Sequence, residues 1–325
     1  MLTIGVTGTG SLVGQAIIKC LKKSTFYKNS FVIGFDYVGE TVGSYWVNEN
    51  IILPDITKAE ISYEMAVDAM IEHLKVKKID ILFIGIDFDL PMYAKYKSKI
   101  EAAVKTKIIV NDENLISIAD DKYKTFEFLK DNGFTYPQSY FPQDVPAGFN
   151  FPAIIKPCTG ASSIGVSIVK NMTEVNERAA TLQKPVVQEL IGTADDEYTC
   201  GVVYIDGQMI DSIVLKRKLK KGDTFKAMHR NDFPEIIYTY INNLSAALKP
   251  NGVCNFQLRL DSEGVPKMFE INARHSGTTY FRCLFNYNEI EMILNYYFPV
   301  KDYVKPTKTF GMAMRYFEEN IVETY

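Results

Sequence analysis

Residues 252–278 decide the fold of this chain, and they read G-V-C-N-F-Q-L-R-L-D-S-E-G-V-P-K-M-F-E-I-N-A-R-H-S-G-T. Polar and apolar side chains alternate over residues 255–260, which is the period of a β-strand with one buried face. Residues 261–264, D-S-E-G, have the composition of a turn, and residues 265–272 predict a returning strand. The segment is therefore predicted to form a β-hairpin.

The predicted hairpin brings polar side chains together on one face. If it is centred on the turn, Gln257 lies opposite Glu270 and Asn255 lies opposite Asn272. Carboxylate and amide oxygens that converge in this way are natural ligands of a hard divalent cation. Arg274 follows two residues later and adds a planar donor suited to phosphate or carboxylate. The alternative interpretation is the polar face of an exposed hairpin.

The composition is that of an ordinary globular protein. Of its residues, 47% are apolar and 23% are charged. The length of 325 residues is enough for two or three domains. Its 36 Lys and Arg against 39 Asp and Glu give a net charge of −3, so we expect no nucleic acid partner. Five cysteines without a C-x-x-C pair do not predict a disulfide framework. No signal peptide or membrane-spanning run is evident, so we expect a cytoplasmic protein without a membrane partner.

The N-terminus predicts the start of a nucleotide-binding α/β unit. A strand at residues 2–7 is followed by the turn G-T-G-S-L-V-G at residues 8–14 and by a helix at residues 15–23. Asp36 follows the next strand at the distance of a Rossmann ribose-binding acid. The glycines could bind a dinucleotide pyrophosphate, or they could form only a tight turn. Their spacing, G-x-G-x-x-x-G, departs from the dinucleotide fingerprint.

Helix and strand continue to alternate beyond that unit. The segments 63–74, 80–84 and 108–110 extend the pattern and predict a parallel sheet of about four or five strands. Asp87 and Asp89 follow a strand at its carboxyl end, where open α/β sheets bind ligands. They could contact a ligand, but capping of the next helix is the interpretation that we prefer.

A small-residue loop occupies the middle of the chain. Residues 157–165, P-C-T-G-A-S-S-I-G, connect predicted strands at 151–156 and 166–169, with Lys156 at the entrance. Backbone N–H groups of such a flap can cradle phosphate oxygens. A plain hairpin loop is the alternative.

Three further strands and one basic segment precede the hairpin. Residues 184–190 predict a strand that ends Q-E-L, Glu197 begins another, and residues 208–215 pair with it. The basic run K-R-K-L-K-K-G at residues 216–222 predicts a solvated loop, and a clamp for an anionic ligand is the alternative.

Taken in order, these motifs resemble the ATP-grasp superfamily, most closely the branch around the large subunit of carbamoyl phosphate synthetase. The resemblance covers residues 120–279. Its motifs are D-K at 121–122, P-x-x-x-K-P-x-x-G-x-S-S-x-G at 152–165, Q-E-L-I-G and E-Y at 188–198, and N-x-Q…E-I-N-x-R at 255–274. Several ordered motifs are more specific than any one of them.

The resemblance implies a fold of mixed α/β and α+β class. A Rossmann-like parallel sheet, the pre-ATP-grasp domain, is expected at residues 1–112. A two-lobed ATP-grasp domain is expected at residues 113–325, with the small lobe and its phosphate flap at 113–187 and the large lobe at 188–325. The glycine turn also resembles the opening of such a pre-ATP-grasp domain, which weakens the dinucleotide hypothesis.

The resemblance also implies ATP and Mg²⁺ as cofactors and assigns residues to them. The residues expected to bind the nucleotide are Lys122 and Lys156 for the phosphates, Gly160, Ser162, Ser163 and Gly165 for the flap, Glu189, Leu190 and Ile191 for adenine, and Glu197 for ribose. The residues expected to bind the metal are Gln257, Glu270 and Asn272. Arg274 and Lys156 are the expected catalytic residues, which stabilise charge on the transferred phosphoryl group.

The implied activity is an ATP-dependent ligase that joins a small carboxylic acid to an amine through an acyl phosphate. An anionic substrate requires cations, so its candidate contacts are Lys216, Arg217, Arg230 and His275. A homodimer is the default oligomer. The alternatives are an NAD(P)-dependent oxidoreductase that uses the N-terminal glycine motif and a nucleotide-binding module without catalysis.

Two positions depart from the family pattern. Gln257 stands where many ATP-grasp ligases carry an acid, which leaves the number of Mg²⁺ ions open. His275-Ser276-Gly277 follows Arg274 where relatives often place a further arginine. The chain has one grasp unit and no evident amidotransferase segment, so we do not expect it to make carbamoyl phosphate.

Overall fold

The computed structural model describes residues 1–160 and 164–322, and the strands of these residues form three sheets. Ser162 and Ser163, which the sequence assigns to the phosphate flap, lie outside the described residues. Among the residues that are described, no helix has both the length and the apolar composition needed to cross a membrane.

The N-terminal sheet is parallel, with the strand order β3-β2-β1-β4-β5. Its elements in chain order are β1 (Thr3–Thr7), α1 (Leu12–Lys23), β2 (Phe31–Asp36), β3 (Glu49–Ile52), α2 (Tyr63–Lys77), β4 (Ile81–Phe83), α3 (Leu90–Ala103) and β5 (Lys107–Ile109). The inner strands β1, β2 and β4 are short apolar runs that are largely buried, as βαβ crossovers require, whereas the edge strand β3 is only partly buried. The predicted parallel sheet is confirmed.

The middle of the chain forms a smaller antiparallel sheet, with the order β6-β9-β7-β8. Its elements are α4 (Glu113–Asp120), α5 (Lys122–Asp131), β6 (Ser139–Tyr140), β7 (Ala153–Pro157), β8 (Ser167–Val169), α6 (Met172–Ala179) and β9 (Pro185–Glu189). A small core of Ala153, Ile155, Val169, Val175 and Val187 holds this layer together. The lobe boundary placed between residues 187 and 188 falls within β9.

The last sheet carries the opening hairpin and has the order β14-β13-β10-β11-β12-β15. Its elements are β10 (Glu197–Ile205), β11 (Gln208–Lys220), β12 (Asp223–His229), α7 (Glu235–Leu248), β13 (Gly252–Leu260), β14 (Pro266–Asn272), α8 (Thr279–Leu284), α9 (Glu289–Tyr297) and β15 (Gly311–Met314). Together the three sheets confirm the predicted mixed α/β class, with an N-terminal parallel sheet followed by antiparallel lobes.

The basic segment 216–222 is not a solvated loop, so that prediction is wrong. β11 continues through it to Lys220, the chain turns at Lys221 and Gly222, both with positive φ, and β12 returns. Charged side chains suit a strand whose alternate positions face solvent, and the partner strand supplies the hydrogen bonds that a loop would lack. The segment is thus part of a hairpin that lies beside β10.

The N-terminal sheet and the last sheet share one buried boundary. Ile4 on β1 and Ile17 on α1 lie in the same apolar cluster as Phe281 on α8 and Ile293 on α9. Asn111 closes the boundary, because its amide donates to the carbonyl oxygens of Val253 (3.0 Å) and Ala273 (2.9 Å). This packing fixes the loops of the N-terminal sheet opposite the end of the β13–β14 hairpin.

Candidate active site

Two adjoining cavities lie over the last sheet. The first cavity encloses about 170 Å³ between the small sheet and β10, β13 and β14. The second cavity encloses about 310 Å³ between the hairpin and the loops of the N-terminal sheet. Arg217, Leu219, Gln257 and Glu270 line both cavities. A molecule in the first cavity would therefore reach the second at these side chains.

The first cavity gathers most of the predicted nucleotide-binding residues. Those that line it are Lys122, Lys156, Gly160, Glu189, Leu190, Ile191 and Glu197. Gly165 lies at the end of the flap with φ +76°, where an added Cβ would stand 3.0 Å from Leu182. A side chain is disfavoured at this φ, which explains the glycine.

Lys156 is the most deeply buried cation of the first cavity. It stands on β7 with 5% of its surface exposed, and its ammonium donates to Gln188 Oε1 at 2.8 Å. The ring of Phe269 lies 5.7 Å from its Nζ. Burial lowers the pKa of Lys156 to about 8, although Glu270 opposes that shift.

Lys122 occupies the entrance of the flap, at the first turn of α5. Its ammonium donates to the carbonyl oxygen of Gly160 at 2.9 Å, and its backbone N–H donates to Cys158 at 2.9 Å. Two lysines from different elements therefore face one cavity. Such a pair can bind the phosphates of a nucleotide.

Glu197 lies between two guanidinium groups. Arg217 Nε donates to its Oε1 at 2.8 Å, and Arg259 NH2 donates to its Oε2 at 2.9 Å. Arg259 also donates to the carbonyl oxygen of Ile191 at 3.2 Å. The two arginines hold the predicted ribose acceptor, and Arg259 connects it to the segment 189–191, which the sequence assigns to adenine.

Sequence reasoning missed Arg259 as a site residue. It stands two residues after Gln257 on the same face of β13, so the alternation that selected Asn255 and Gln257 could have selected it. Its pairing with Glu197 depends on the register between β10 and β13, in which the two residues are direct partners. That register is a long-range contact that the local pattern does not contain.

The predicted register of the β13–β14 hairpin is confirmed. Gln257 pairs with Glu270 and Asn255 pairs with Asn272, and a β-bulge follows between Gln257 and Leu258. Glu270 Oε1 accepts hydrogen bonds from Gln257 Nε2 (3.2 Å) and Asn272 Nδ2 (2.8 Å). The three side chains that were expected to bind metal therefore converge at the junction of the cavities.

The donor chemistry of this cluster fits a hard cation. It consists of one carboxylate and two amides, whose oxygens suit Mg²⁺. Within residues 1–160 and 164–322, no protein donor lies within hydrogen-bonding distance of Glu270 Oε2. The same residues contain no group of three or more His, Cys, Asp or Glu side chains placed to hold a metal ion. Gln257 Oε1 accepts from Arg217, and Asn272 Oδ1 accepts from Asn255 and Gln257, so Glu270 Oε2 is the oxygen of the cluster left to face an ion.

Arg274 connects the hairpin to the N-terminal sheet. Its NH2 donates to Asp87 Oδ2 at 2.7 Å, its Nε also contacts that carboxylate, and both residues line the second cavity. Sequence reasoning preferred helix capping for Asp87 and Asp89, and this is wrong, because neither side chain makes a capping hydrogen bond. Asp89 is buried and accepts from the Tyr37 hydroxyl instead.

The remaining substrate candidates are spread over several places. Arg217 lies at the junction, whereas Lys216 points elsewhere and pairs with Asp196 at 2.7 Å. Arg230 is exposed and pairs with its neighbour Asp232. His275 is 2% exposed, and its Nδ1 lies 2.8 Å from Glu289 Oε1. Of the four candidates, the geometry brings Arg217 to the cavities and leaves Lys216, Arg230 and His275 outside the junction.

The N-terminal glycine turn has a structural role. Asp36 Oδ2 accepts from the Thr9 hydroxyl (3.0 Å) and the Gly10 N–H (2.8 Å), while Oδ1 accepts from the Tyr37 N–H (2.8 Å). A Cβ on Gly14 would collide with the carbonyl of Gly8. The acid that a dinucleotide site would use for ribose is therefore engaged in holding the turn itself.

Comparisons with known proteins agree with this architecture. A family model described as "ATP-grasp in the biosynthetic pathway with Ter operon" matches residues 183–320. D-alanine--D-alanine ligase A of Bacillus cereus is 27% identical over 136 residues, which is 38% of this chain and 44% of that protein. The chain thus matches less than half the length of this curated relative.

Solved structures extend the similarity to nearly the whole chain. The L-amino acid ligase of Bacillus licheniformis has a TM-score of 0.69 at 17% identity, covering 92% of this chain and 75% of that one. N5-carboxyaminoimidazole synthetase of Staphylococcus aureus, in complex with ADP, has a TM-score of 0.72 at 15% identity, covering 96% and 80%. Residues 183–320 thus match an ATP-grasp family model, and nearly the whole chain shares the fold of these ligases. The recognition made from the sequence, of an ATP-grasp fold with an N-terminal pre-ATP-grasp domain, is confirmed.

Proposed function

We propose that this protein is an ATP- and Mg²⁺-dependent carboxylate–amine ligase that works through an acyl phosphate. The observation that carries the proposal is the junction between the two cavities. A nucleotide held in the first cavity by Lys122 and Lys156 would present its terminal phosphate at Glu270, where the second cavity begins. Adjacent sites for nucleotide and acceptor are what a phosphoryl transfer requires.

The predicted nucleotide-binding residues that line the first cavity have separate roles in this proposal. The lysines bind phosphate oxygens, the hinge backbone at residues 189–191 holds adenine, and Glu197 accepts hydrogen bonds from the ribose hydroxyls. Glu270 would hold Mg²⁺, and the amides of Gln257 and Asn272 would orient its carboxylate. The ion, when bound, neutralises charge on the phosphates and orients them.

The second cavity would bind the acid and the amine. A carboxylate oxygen of the acid attacks the γ-phosphorus, and the bond from that phosphorus to the bridging oxygen of ADP breaks. The amine nitrogen then attacks the carbonyl carbon of the acyl phosphate, phosphate leaves, and the nitrogen loses a proton. Arg274 lines this cavity and stabilises the anionic groups. No side-chain nucleophile is required.

The names of the relatives guide the choice of probes. D-alanine--D-alanine ligase and L-amino acid ligase are both named for amino acid substrates. Pooled amino acids are therefore the first test of acid and amine together. We do not propose a dinucleotide-dependent reaction, because Asp36 and the glycines of the N-terminal turn line neither of the two cavities.

The test measures ADP release with ATP, Mg²⁺ and pooled amino acids, and it adds hydroxylamine to trap an acyl phosphate as a hydroxamate. Glu270→Ala is expected to lower ADP release by about 100-fold or more, because the one carboxylate of the metal cluster is lost. Glu263→Ala, in the exposed turn of the same hairpin, is the matched control and should retain full activity. Undiminished ADP release by Glu270→Ala would contradict the proposal.

A further inference from the structure

An ion pair with no exposed surface lies behind the hairpin. Arg282 on α8 and Glu289 at the start of α9 are both 0% exposed, and Arg282 Nε donates to Glu289 Oε2 at 2.8 Å. A charge buried to this degree is tolerated only when it is paired and fully hydrogen-bonded. Gly201 on β10 makes room for the guanidinium, since a Cβ there would stand 2.5 Å from Arg282 Cδ.

The ion pair connects to the metal cluster through Asn255. Arg282 NH1 donates to Asn255 Oδ1 at 2.9 Å, and the Thr199 hydroxyl donates to the same oxygen at 2.7 Å. A guanidinium has donors and no acceptor. The oxygen of Asn255 must therefore face Arg282, which directs its NH2 group away from Arg282.

The next two side chains follow from that orientation. Asn255 Nδ2 donates to Asn272 Oδ1 at 3.0 Å, so the NH2 group of Asn272 faces the other way. That NH2 group donates to Glu270 Oε1 at 2.8 Å. Each amide can adopt one of two orientations, and at each step the preceding partner allows only one of them.

A second guanidinium closes the network from the other side. Arg217 NH2 donates to Gln257 Oε1 at 2.6 Å, so the NH2 group of Gln257 faces Asn272 Oδ1 (3.0 Å) and Glu270 Oε1. Both amide N–H donors therefore converge on one oxygen of Glu270. Among the described residues, its other oxygen has no protein donor and remains available at the junction of the cavities.

We propose that Arg282 is a positioning residue for the metal site of the ligase. Acting through Asn255 and Asn272, it holds the Glu270 carboxylate in the orientation in which it would bind Mg²⁺, so the inference rests on the proposed function. A cluster with a single carboxylate has little charge with which to order neutral amides. Its geometry therefore depends on donors that are fixed before the ion arrives.

The test is a double-mutant cycle on metal affinity, read by electron paramagnetic resonance of Mn²⁺ in the presence of ADP. Asn255→Ala and Asn272→Ala should each weaken Mn²⁺ binding by about tenfold. If Asn255 acts through Asn272, the double variant should bind no more weakly than Asn272→Ala alone. Effects that multiply in the double variant would overturn the proposal.

Arg282→Lys tests the origin of the network. Lysine keeps a charge beside Glu289 but lacks the planar fork that also reaches Asn255. We expect Mn²⁺ binding about tenfold weaker, with no further loss when Asn255→Ala is added. If Arg282→Lys does not fold, the Asn255 and Asn272 cycle still decides whether the hydrogen bonds that begin at Arg282 reach the metal site through Asn272.

Thr279→Val is the matched control. The Thr279 hydroxyl donates to Glu289 Oε1 and accepts from Arg282 NH2, whereas Asn255 accepts from Arg282 NH1, so loss of the hydroxyl should lower the melting temperature and leave Mn²⁺ affinity unchanged. Equal weakening by Thr279→Val and Arg282→Lys would mean that general loosening is the cause, which contradicts a positioning role. A wild-type chain that binds no Mn²⁺ with ADP would overturn the proposed function as well, whereas binding with multiplicative effects overturns only the role of Arg282.

Discussion

At the scale of single residues, the burial of Lys156 disfavours its charged form, so a bound anion would stabilise it. Its ammonium is almost fully buried and has one amide oxygen as its hydrogen-bond acceptor. Burial lowers its pKa to about 8, with an opposing effect of Glu270 and a further lowering by Lys122. A bound phosphate would supply the missing negative charge and favour the protonated form.

This environment predicts that nucleotide binding depends on pH. The pKa of Lys156 is about 8 in the free protein and should be higher with phosphate bound, so binding takes up a proton above pH 8. The dissociation constant for ADP, measured by calorimetry, should therefore rise with pH above about 8, by up to about tenfold per pH unit. Lys156→Met should bind more weakly and lose this dependence. A constant affinity of the wild type between about pH 7 and about pH 9.5 would contradict the assignment.

At the scale of elements, the sequence predicts what local patterns determine. The β13–β14 pairing follows from strict alternation and a well-formed turn, and the observed register matches it. The extension of β11 through residues 216–220 does not follow, because its charges resemble a loop and its pairing with β12 decides the structure. The contacts of Arg259 and Arg282 also depend on partners far away in the chain. Local periodicity contains no information on such contacts.

Asp89, just before α3, is a second residue whose contacts the local sequence pattern does not predict. Its position next to a helix suggested capping, but the fold buries it to 1% exposure beneath Tyr37. Tyr37 donates to Oδ1 at 2.6 Å, and within the part of the chain that the structure describes Oδ2 has no hydrogen-bond partner. Burial raises the pKa of Asp89 to about 7, although the Tyr37 hydrogen bond opposes the shift.

Asp89 is therefore expected to destabilise the N-terminal sheet at neutral and higher pH. Its pKa is higher in the folded than in the unfolded state, so its contribution is most favourable at low pH and is lost as pH rises from about 4 to about 7. Asp89→Asn, which cannot ionise, should raise the free energy of unfolding at pH 8 by about 2 to 4 kcal/mol. The difference should vanish below about pH 4 in urea titrations. Asp68→Asn, an exposed partner of Lys99, is the control; a gain from Asp89→Asn that persists at low pH would refute the explanation.

At the scale of the whole molecule, the second cavity is lined by residues from both the N-terminal part and the last sheet of the chain. The loop after β4 and the N-terminus of α1 form one wall, and the end of the β13–β14 hairpin forms the other. The glycine turn thus contributes to the cavity by placing α1, with Asp36 holding the turn in shape. No local motif predicts this cavity, because its two walls are far apart in the sequence. The salt bridge from Asp87 to Arg274 is a direct charged contact between the two walls.

The charge of Asp87 in that salt bridge should affect the KM values of the proposed acid and amine substrates in opposite directions. Asp87 is about half exposed, with 46% of its side chain accessible, and adds a negative charge to the cavity in which the proposed function places a carboxylate and an amine. In Asp87→Asn, the KM for the acid should fall and the KM for the amine should rise, each by about fivefold, because one elementary charge acts on them with opposite sign. Steady-state kinetics with each substrate varied in turn would measure both shifts. Asp68→Asn, in the helix layer of the same sheet, should change neither KM. If both constants moved in the same direction, the effect of Asp87 would be on the position of Arg274 and not on the charge of the cavity.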